Sequence, residues 1–210
     1  TGPIRKIIKN RFRFDVLLVI FAVMFALEGF IVSSVNTTLP FLLGELGASS
    51  EVALLAATIL GPSQVLARVL ILAPGKIMTP MRVAGLSIAA HPIGVVLIWI
   101  FGVNALIPFV ILHGIGVGLN PFIRGSLPLL FFGTEGFGQR QGYIMMLSKM
   151  VSALSPSLLT LLVLANVQSA IGLTFAMGVL AMGLLVWLGA IHRVRNKAAL
   201  DASAASSLEG

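Results

Sequence analysis

The sequence predicts an all-helical (all-α) integral membrane protein, built as a bundle of six transmembrane helices. Of its 210 residues, 58% are hydrophobic and only 10% are charged, whereas a soluble globular chain is about one-quarter charged. The mean hydropathy is +1.05, and the apolar runs lack the period-two alternation of a membrane β-barrel. The net charge of +7 is typical of basic residues at the cytoplasmic ends of membrane helices. The sequence shows no basic face with interleaved aromatic residues, so nucleic-acid binding is not predicted.

Six apolar segments are long enough to cross a bilayer, which takes about 20 residues of helix. They are residues 14–43, 52–73, 83–101, 105–132, 142–165 and 169–191. The loops between them, such as GELGASSE, APGKIMTP and FGTEGFGQ, carry the residues that interrupt helices. The predicted organisation is a basic cytoplasmic linker at 1–13, a transmembrane bundle at 14–191 and a cytoplasmic tail at 192–210. We expect the end of that tail, which consists of small and polar residues, not to belong to the folded bundle.

Basic residues occur only in every second loop, which predicts the orientation of the bundle. The N-terminal segment RKIIKNRFR, the loop with Lys76 and Arg82, the loop with Arg140 and the tail HRVRNK are basic, whereas the other loops are neutral or acidic. The positive-inside rule then places both termini in the cytoplasm. The first and fourth segments are both long and carry polar side chains, which favours an inverted repeat of three helices plus three.

Polar side chains inside the fourth segment define the first candidate site. His113, Asn120 and Arg124 are separated by seven and four residues, so they share one stripe of the helix. Ionisable side chains are costly in hydrocarbon and usually functional. The structural alternative is that His113 bonds a neighbouring helix and Arg124 extends to the headgroups. Gly114 and Gly118 predict the close approach of another helix.

Two further segments carry polar groups. Gln64 and Arg68 lie one turn apart in the second segment, and Lys149 lies in the fifth. Beside Lys149 runs a stripe of serines, Ser148, Ser152 and Ser155. Arg68, Arg124 and Lys149 are expected to reach the cytoplasmic half from three helices. Buried charge of one sign must be compensated, which predicts a small solute with a carboxylate or phosphate group. Snorkelling to the headgroups is the alternative for each arginine.

The first segment supplies the only acid near mid-membrane, Glu28, and Asn36 follows toward its outer end. Burial favours the neutral form of a carboxylate and a nearby cation favours the ionised form, so Glu28 is a candidate proton carrier or a structural ion-pair partner. Asn36 is a candidate solute contact. His91 is interpreted as a histidine satisfied by a neighbouring helix. His91 and His113 lack metal-ligand spacing, and no catalytic constellation is found, so no enzyme, metal or cofactor is predicted.

Several strings resemble the C-terminal six-helix half of major facilitator superfamily (MFS) transporters, over about residues 10–195. They are RFRFD, GPSQVLAR and GLNPFIRGSLPLLFFGTEGFGQRQG, and the last is similar to bacterial permeases of sugar-efflux-like or drug-efflux-like type. The loop APGKIMTPMRV stands where a loop motif of that family would recur. It keeps Gly75, Lys76 and Arg82 but has no acid, so the charge lock of that motif is not expected here.

The resemblance implies alternating access in a bacterial inner membrane, with two six-helix bundles around a central site. It also implies that the first, second, fourth and fifth helices line the site, and these helices carry every candidate residue. Six helices are half of such a transporter, so a partner is implied: an N-terminal half, as a separate or removed chain, or a second copy. The expected function is a half or subunit of a secondary active transporter for a small anionic or polar solute, with Glu28 as the proton-coupling candidate. The alternatives are a self-pairing six-helix transporter and a non-transporting assembly or scaffold subunit.

Overall fold

The structure, a computed structural model, describes residues 16–72 and 78–208. Within those ranges it contains helices and no strands. Six α-helices follow in chain order: α1 (Val16–Glu45), α2 (Ser50–Leu72), α3 (Pro80–Phe101), α4 (Leu106–Phe132), α5 (Phe137–Ala165) and α6 (Val167–Leu208). The predicted basic linker at 1–13, and Gly75 and Lys76 in the first basic loop, lie outside the described residues.

Five segments in the described ranges are long and apolar enough to cross a membrane. They are Val16–Glu45, Ser50–Ile71, Pro80–Phe132, Phe137–Ala165 and Val167–Val194. The 53-residue segment Pro80–Phe132 contains both α3 and α4, which are joined by a 3-10 turn at Gly102–Ala105. This number of long apolar helices indicates an integral membrane protein, and the count of six separate spans stays a prediction.

Two helices extend beyond their predicted apolar segments by five residues or more. α5 begins at Phe137 rather than near Gly142, and α6 runs 42 residues to Leu208. Residues 192–208, predicted as a tail, therefore continue the last helix. Apolar length marks only the part of a helix that suits hydrocarbon, whereas the Ala, Leu, Arg and Lys residues beyond it are strong helix formers in any solvent.

Helix packing follows a regular pattern. α1 packs most extensively on α5, α2 packs on α4, and α3 packs on both α4 and α6. The first three helices can be matched to the last three, with α1 matching α4, α2 matching α5 and α3 matching α6. Under this correspondence the α1–α5 interface matches the α4–α2 interface, and the α1–α6 interface matches the α4–α3 interface. The contact between α1 and α4 is sparse, so these two central helices are held apart by their neighbours.

Apolar side chains form two separate clusters along the bundle. One contains Phe21, Phe25 and Leu119, and the other contains Ile31 and Val110. In α1, the buried members of one cluster end at Phe25 and those of the other begin at Ile31. In α4, the corresponding limits are Val110 and Leu119. The middle of both central helices is therefore left for other side chains.

Glycines set the closest helix approaches, as the small-residue spacing in α4 predicts. A Cβ on Gly114 would lie 2.7 Å from the Cβ of Ser63, and a Cβ on Gly118 would overlap the backbone of Gln64. On the other side of the bundle, a Cβ on Gly29 would lie 2.6 Å from the Ser148 Oγ. The predicted close approach at Gly114 and Gly118 is confirmed, and α2 is the helix that makes it.

We predict that Gly118→Ala lowers the free energy of unfolding by about 1–3 kcal/mol, because the added methyl meets backbone that cannot rotate away. The matched control is Gly125→Ala in the same helix, where an added Cβ meets nothing within 4 Å and should leave stability unchanged or slightly raised. Both are measured by denaturant titration of the helical circular dichroism in mixed micelles. Equal loss in the two variants would contradict the close packing of α2 on α4.

Candidate functional site

Arg124 of α4 is the centre of a charged cluster inside the bundle. It is half-buried, its Nε donates to the Oδ1 of Asn120, and its Nη1 lies 3.4 Å from the sulfur of Met145. The guanidinium carbon lies 5.6 Å from the centroid of the Phe25 ring, within the range of a cation–π interaction. These contacts hold the guanidinium inside the bundle, in contrast to the snorkelling expected under the structural alternative.

Glu28 of α1 supplies the opposite charge. Its side chain is 5% exposed, and it is close enough to Arg124 for the two charges to attract each other, although no direct ion pair joins them. Burial of Glu28 favours its neutral form, whereas the nearby guanidinium of Arg124 favours its ionised form. Both predicted roles of Glu28, proton carrier and structural partner, depend on this neighbour.

The charged cluster contains N–H donors that have no acceptor among the described residues. The Nδ2 of Asn120 is buried and has no partner, although a buried N–H left unpaired costs about 1–3 kcal/mol. Arg124 carries five N–H donors, and its contacts with Asn120 and Met145 use two of them. An incoming acceptor would satisfy both side chains. We define Glu28, Asn120 and Arg124 as the charged rung.

A second polar cluster joins three helices. The Nδ1 atoms of His91 and His113 lie 3.0 Å apart, and the Nε2 of His113 lies 3.0 Å from the Oδ1 of Asn36. Both rings pack against Phe109, with centroid distances of 5.6 and 5.9 Å. The Nε2 of His91 is buried without a partner. We define Asn36, His91 and His113 as the neutral rung.

His91, interpreted from the sequence as a structural histidine, is thus bonded directly to a candidate site residue. A sequence signal for this contact exists. Positions 91 and 113 are equally distant from Gly102, where the turn between α3 and α4 begins. In an antiparallel helix pair joined by a short turn, residues equidistant from the turn lie at the same depth. Ser87, which donates to the carbonyl of Gly116 over 2.7 Å, follows this relation to within one residue.

The two rungs lie at different depths between α1 and α4. Glu28 and Arg124 belong to one, and Asn36 and His113 to the other, in the order expected for antiparallel helices. The seven residues from His113 to Asn120 correspond to about 10 Å of helix rise. The stripe predicted on α4 is therefore divided into two clusters, each completed by a residue of α1.

The serine stripe of α5 lies against α1. Ser148 donates to the carbonyl of Phe25 over 2.8 Å, and Ser33 of α1 donates to the carbonyl of Ser152 over 2.8 Å. The hydroxyl of Ser155 bonds the carbonyl of Ser152 at 3.0 Å, within α5. These bonds explain helix packing without a solute, and the predicted contact of Ser152 with a solute stays a prediction.

The three predicted cations are placed differently. Arg68 is exposed, and its Nε donates to the carbonyl of Gly118 over 3.1 Å. Gln64 is half-buried at the same close approach, and Lys149 is exposed on α5. In the part of the chain that the structure describes, no contact joins Lys149 to either arginine. Of the three, only Arg124 lies within a rung, because Arg68 and Lys149 stand on the outward faces of α2 and α5.

Comparison with known proteins gives no relative: no protein-family model, no curated protein and no solved structure matches this chain. Within residues 16–72 and 78–208, no group of three or more His, Cys, Asp or Glu side chains is arranged to hold a metal ion.

We predict that Ser148→Ala lowers the free energy of unfolding by about 0.6–2 kcal/mol, the usual range for a hydrogen bond between membrane helices. Ser157→Ala is the control, because Ser157 lies on the same helix but is exposed, and it should leave stability unchanged. Denaturant titration in micelles measures both variants. If Ser148→Ala is as stable as the wild type, the bond to Phe25 does not hold α5 on α1.

Proposed function

We propose that this chain is one six-helix half, or subunit, of a secondary active transporter that moves a small anionic or polar organic solute by alternating access. The observation that carries the proposal is the Arg124–Asn120 pair, which holds unused N–H donors inside an apolar helix. A purely structural pair would be expected to satisfy its donors within the protein.

The chemistry of the charged rung favours an anionic group on the solute. Arg124 and Asn120 offer only donors toward an incoming molecule, and charge-assisted bonds from a guanidinium to a carboxylate or phosphate are among the strongest hydrogen bonds in proteins. The site binds such a group without leaving a net buried charge only if Glu28 becomes neutral. Solute and proton therefore bind together in this proposal: an anion beside Arg124 favours protonated Glu28, and loss of that proton favours release of the anion.

The packing of the helices supports a three-plus-three inverted repeat and, with it, six spans with both termini in the cytoplasm. The exchange of the first three helices with the last three maps the main interfaces onto one another. α1 and α4 also carry comparable features. Gly29 and Gly118 are the fourteenth and thirteenth residues of their helices and each makes a close approach, and Pro40 and Pro128 both lie inside the last two turns.

The outward faces of α2 and α5 support a partner bundle. Arg68 and Lys149 are exposed on these helices within segments long and apolar enough to cross a membrane. Lys149 lies near the middle of its segment, where a charge avoids lipid and faces a protein interior or a water-filled cavity. The partner in this proposal is a second six-helix bundle, either an N-terminal half or another copy, and the solute pathway runs between the two in a bacterial inner membrane.

A second candidate, the non-transporting assembly or scaffold subunit, is favoured by the α1–α5 interface. The hydroxyls of Ser148 and Ser33 there bond to backbone carbonyls of the opposite helix, as structural polar residues do. The same alternative gives no role to the unpartnered Nδ2 of Asn120. Solute binding at Arg124 separates the two candidates.

We predict that Arg124→Ala weakens binding of gluconate, a six-carbon carboxylate, by at least about 30-fold, because truncation of a buried charged partner costs about 2 kcal/mol or more. Arg193→Ala is the control. Arg193 is an exposed arginine that bonds the Gly189 carbonyl of its own helix at 3.3 Å, and its loss should leave affinity unchanged. Calorimetry on the protein in nanodiscs measures both. Unchanged affinity in Arg124→Ala would reject the anion site and favour the scaffold.

We predict that gluconate affinity of the wild type falls as pH rises, because ionised Glu28 repels the anion, and that Glu28→Gln removes this dependence. The amide stands in for the protonated acid, so the variant should bind at high pH as the wild type binds at low pH. Glu45→Gln, at the exposed end of the same helix, is the control and should keep the wild-type profile. A wild-type profile in Glu28→Gln would exclude Glu28 as the coupling group.

A further inference from the structure

The neutral rung has no role in the anion chemistry of the charged rung, yet it joins α1, α3 and α4. Asn36, His113 and His91 form a continuous chain of two hydrogen bonds, each 3.0 Å long. His91 is 5% exposed and His113 is 1% exposed. Three polar side chains from three helices, arranged in a row at one depth, exceed what the packing of α3 on α4 requires.

The hydrogen bonds fix which nitrogens carry protons. The Oδ1 of Asn36 only accepts, so the Nε2 of His113 must donate to it. The Nδ1 of neutral His113 is then an acceptor, and the Nδ1 of His91 donates to it. The two histidines are therefore opposite tautomers, and the Nε2 of His91 is a bare acceptor, the buried atom for which the structure shows no partner.

The same geometry favours a neutral pair. A proton added to the Nδ1 of His113 would place two N–H groups against each other at 3.0 Å, and a proton added to the Nε2 of His91 would be buried without an acceptor. In the described part of the chain, the groups that face the rings are Asn36 and the apolar Phe109, and no carboxylate contacts either ring. A charge here would lack the compensation that Glu28 gives Arg124.

The relay orients the Asn36 amide. Because Oδ1 is held by His113, the Nδ2 group points away from the ring, and it has no protein partner among the described residues. Asn36 is half-buried, so this donor is not sealed inside the protein. An amide held in this orientation offers a donor to an oxygen acceptor and cannot rotate without reversing both histidine tautomers.

We propose that the neutral rung is a second solute subsite, in which Asn36, oriented by His113 and His91, donates to an uncharged oxygen of the solute. It lies about 10 Å along α4 from the charged rung. Resting on the proposed transport function, this assigns the solute class: an anion at one end and a hydroxyl, ether or carbonyl oxygen at the other. His91 and His113 are positioning residues, and Asn36 makes the contact.

The first test is nitrogen NMR of the ¹⁵N-histidine-labelled protein in nanodiscs, which leaves every residue of the rungs unchanged. The chain contains three histidines, and His192, outside the rungs, is removed by His192→Gln to leave the pair. We expect one Nδ1–H and one Nε2–H tautomer, a coupling between the two Nδ1 nitrogens across their hydrogen bond, and no titration between about pH 5 and 8. Titration of either ring in that range would make the pair a proton site and overturn the subsite.

The second test compares gluconate with hexanoate, carboxylates with the same number of carbons that differ in their hydroxyl groups. Asn36→Leu should weaken gluconate binding by about 3- to 10-fold, the effect of one neutral hydrogen bond, and leave hexanoate binding unchanged. The control is Thr37→Val, at an exposed neighbour whose hydroxyl bonds the Ser33 carbonyl in its own helix at 2.8 Å, and it should change neither.

The outcomes separate this subsite from the anion site. If Asn36→Leu weakens both ligands equally or neither, the subsite is wrong, while the loss of both ligands in Arg124→Ala still supports the proposed function. If Arg124→Ala also leaves both affinities unchanged, or the wild type binds neither probe at millimolar concentration, the proposed function fails and the subsite fails with it.

Discussion

The absence of water from the hydrocarbon core is the constraint on which the rest of this structure depends. Each polar group placed there needs a partner from the protein or from a ligand, since an unsatisfied group costs several kcal/mol. Most polar side chains of the described helices meet this demand locally, as Thr37 and Thr38 do by bonding carbonyls one turn earlier in α1. Three side chains of these helices each keep one buried polar atom unpartnered. Asn120 and His91 lie in the rungs between the central helices, and Gln141 lies on α5.

The way the helices pack explains why the rungs lie there. Glycines bring α4 against α2 and α1 against α5 at backbone distance, whereas α1 and α4 touch only sparsely. The two apolar clusters of the bundle are separated in the middle of both central helices. Tight contacts at the sides thus leave the middle of the central helices to polar side chains, where Glu28 lies near Arg124 and Asn36 bonds His113.

The two rungs differ in charge, and the proposed mechanism gives each of them a different role. The charged rung can exchange an internal counter-ion for a solute anion when Glu28 takes a proton, so binding of the proton and of the anion is reciprocally linked. In the proposed mechanism, the neutral rung orients the Asn36 amide toward the solute through its fixed tautomers and adds no net charge. Strong binding at the charged rung and orientation at the neutral rung are typical of binding sites in which a few polar groups set specificity within an apolar surface.

The sequence by itself determined the helical class, the approximate segments, the glycine contact of α4 and the presence of Arg124 and Glu28 as charges within apolar segments, because hydropathy, small-residue spacing and side-chain charge are local properties. Only the tertiary structure decided which groups meet. It joined His113 to His91 and Asn36, turned Ser148 toward the Phe25 carbonyl, and left Arg68 and Lys149 on outward faces. Spacing along one helix gives the direction of a side chain, whereas its partner depends on the rotation and depth of another helix, which packing of the whole bundle sets.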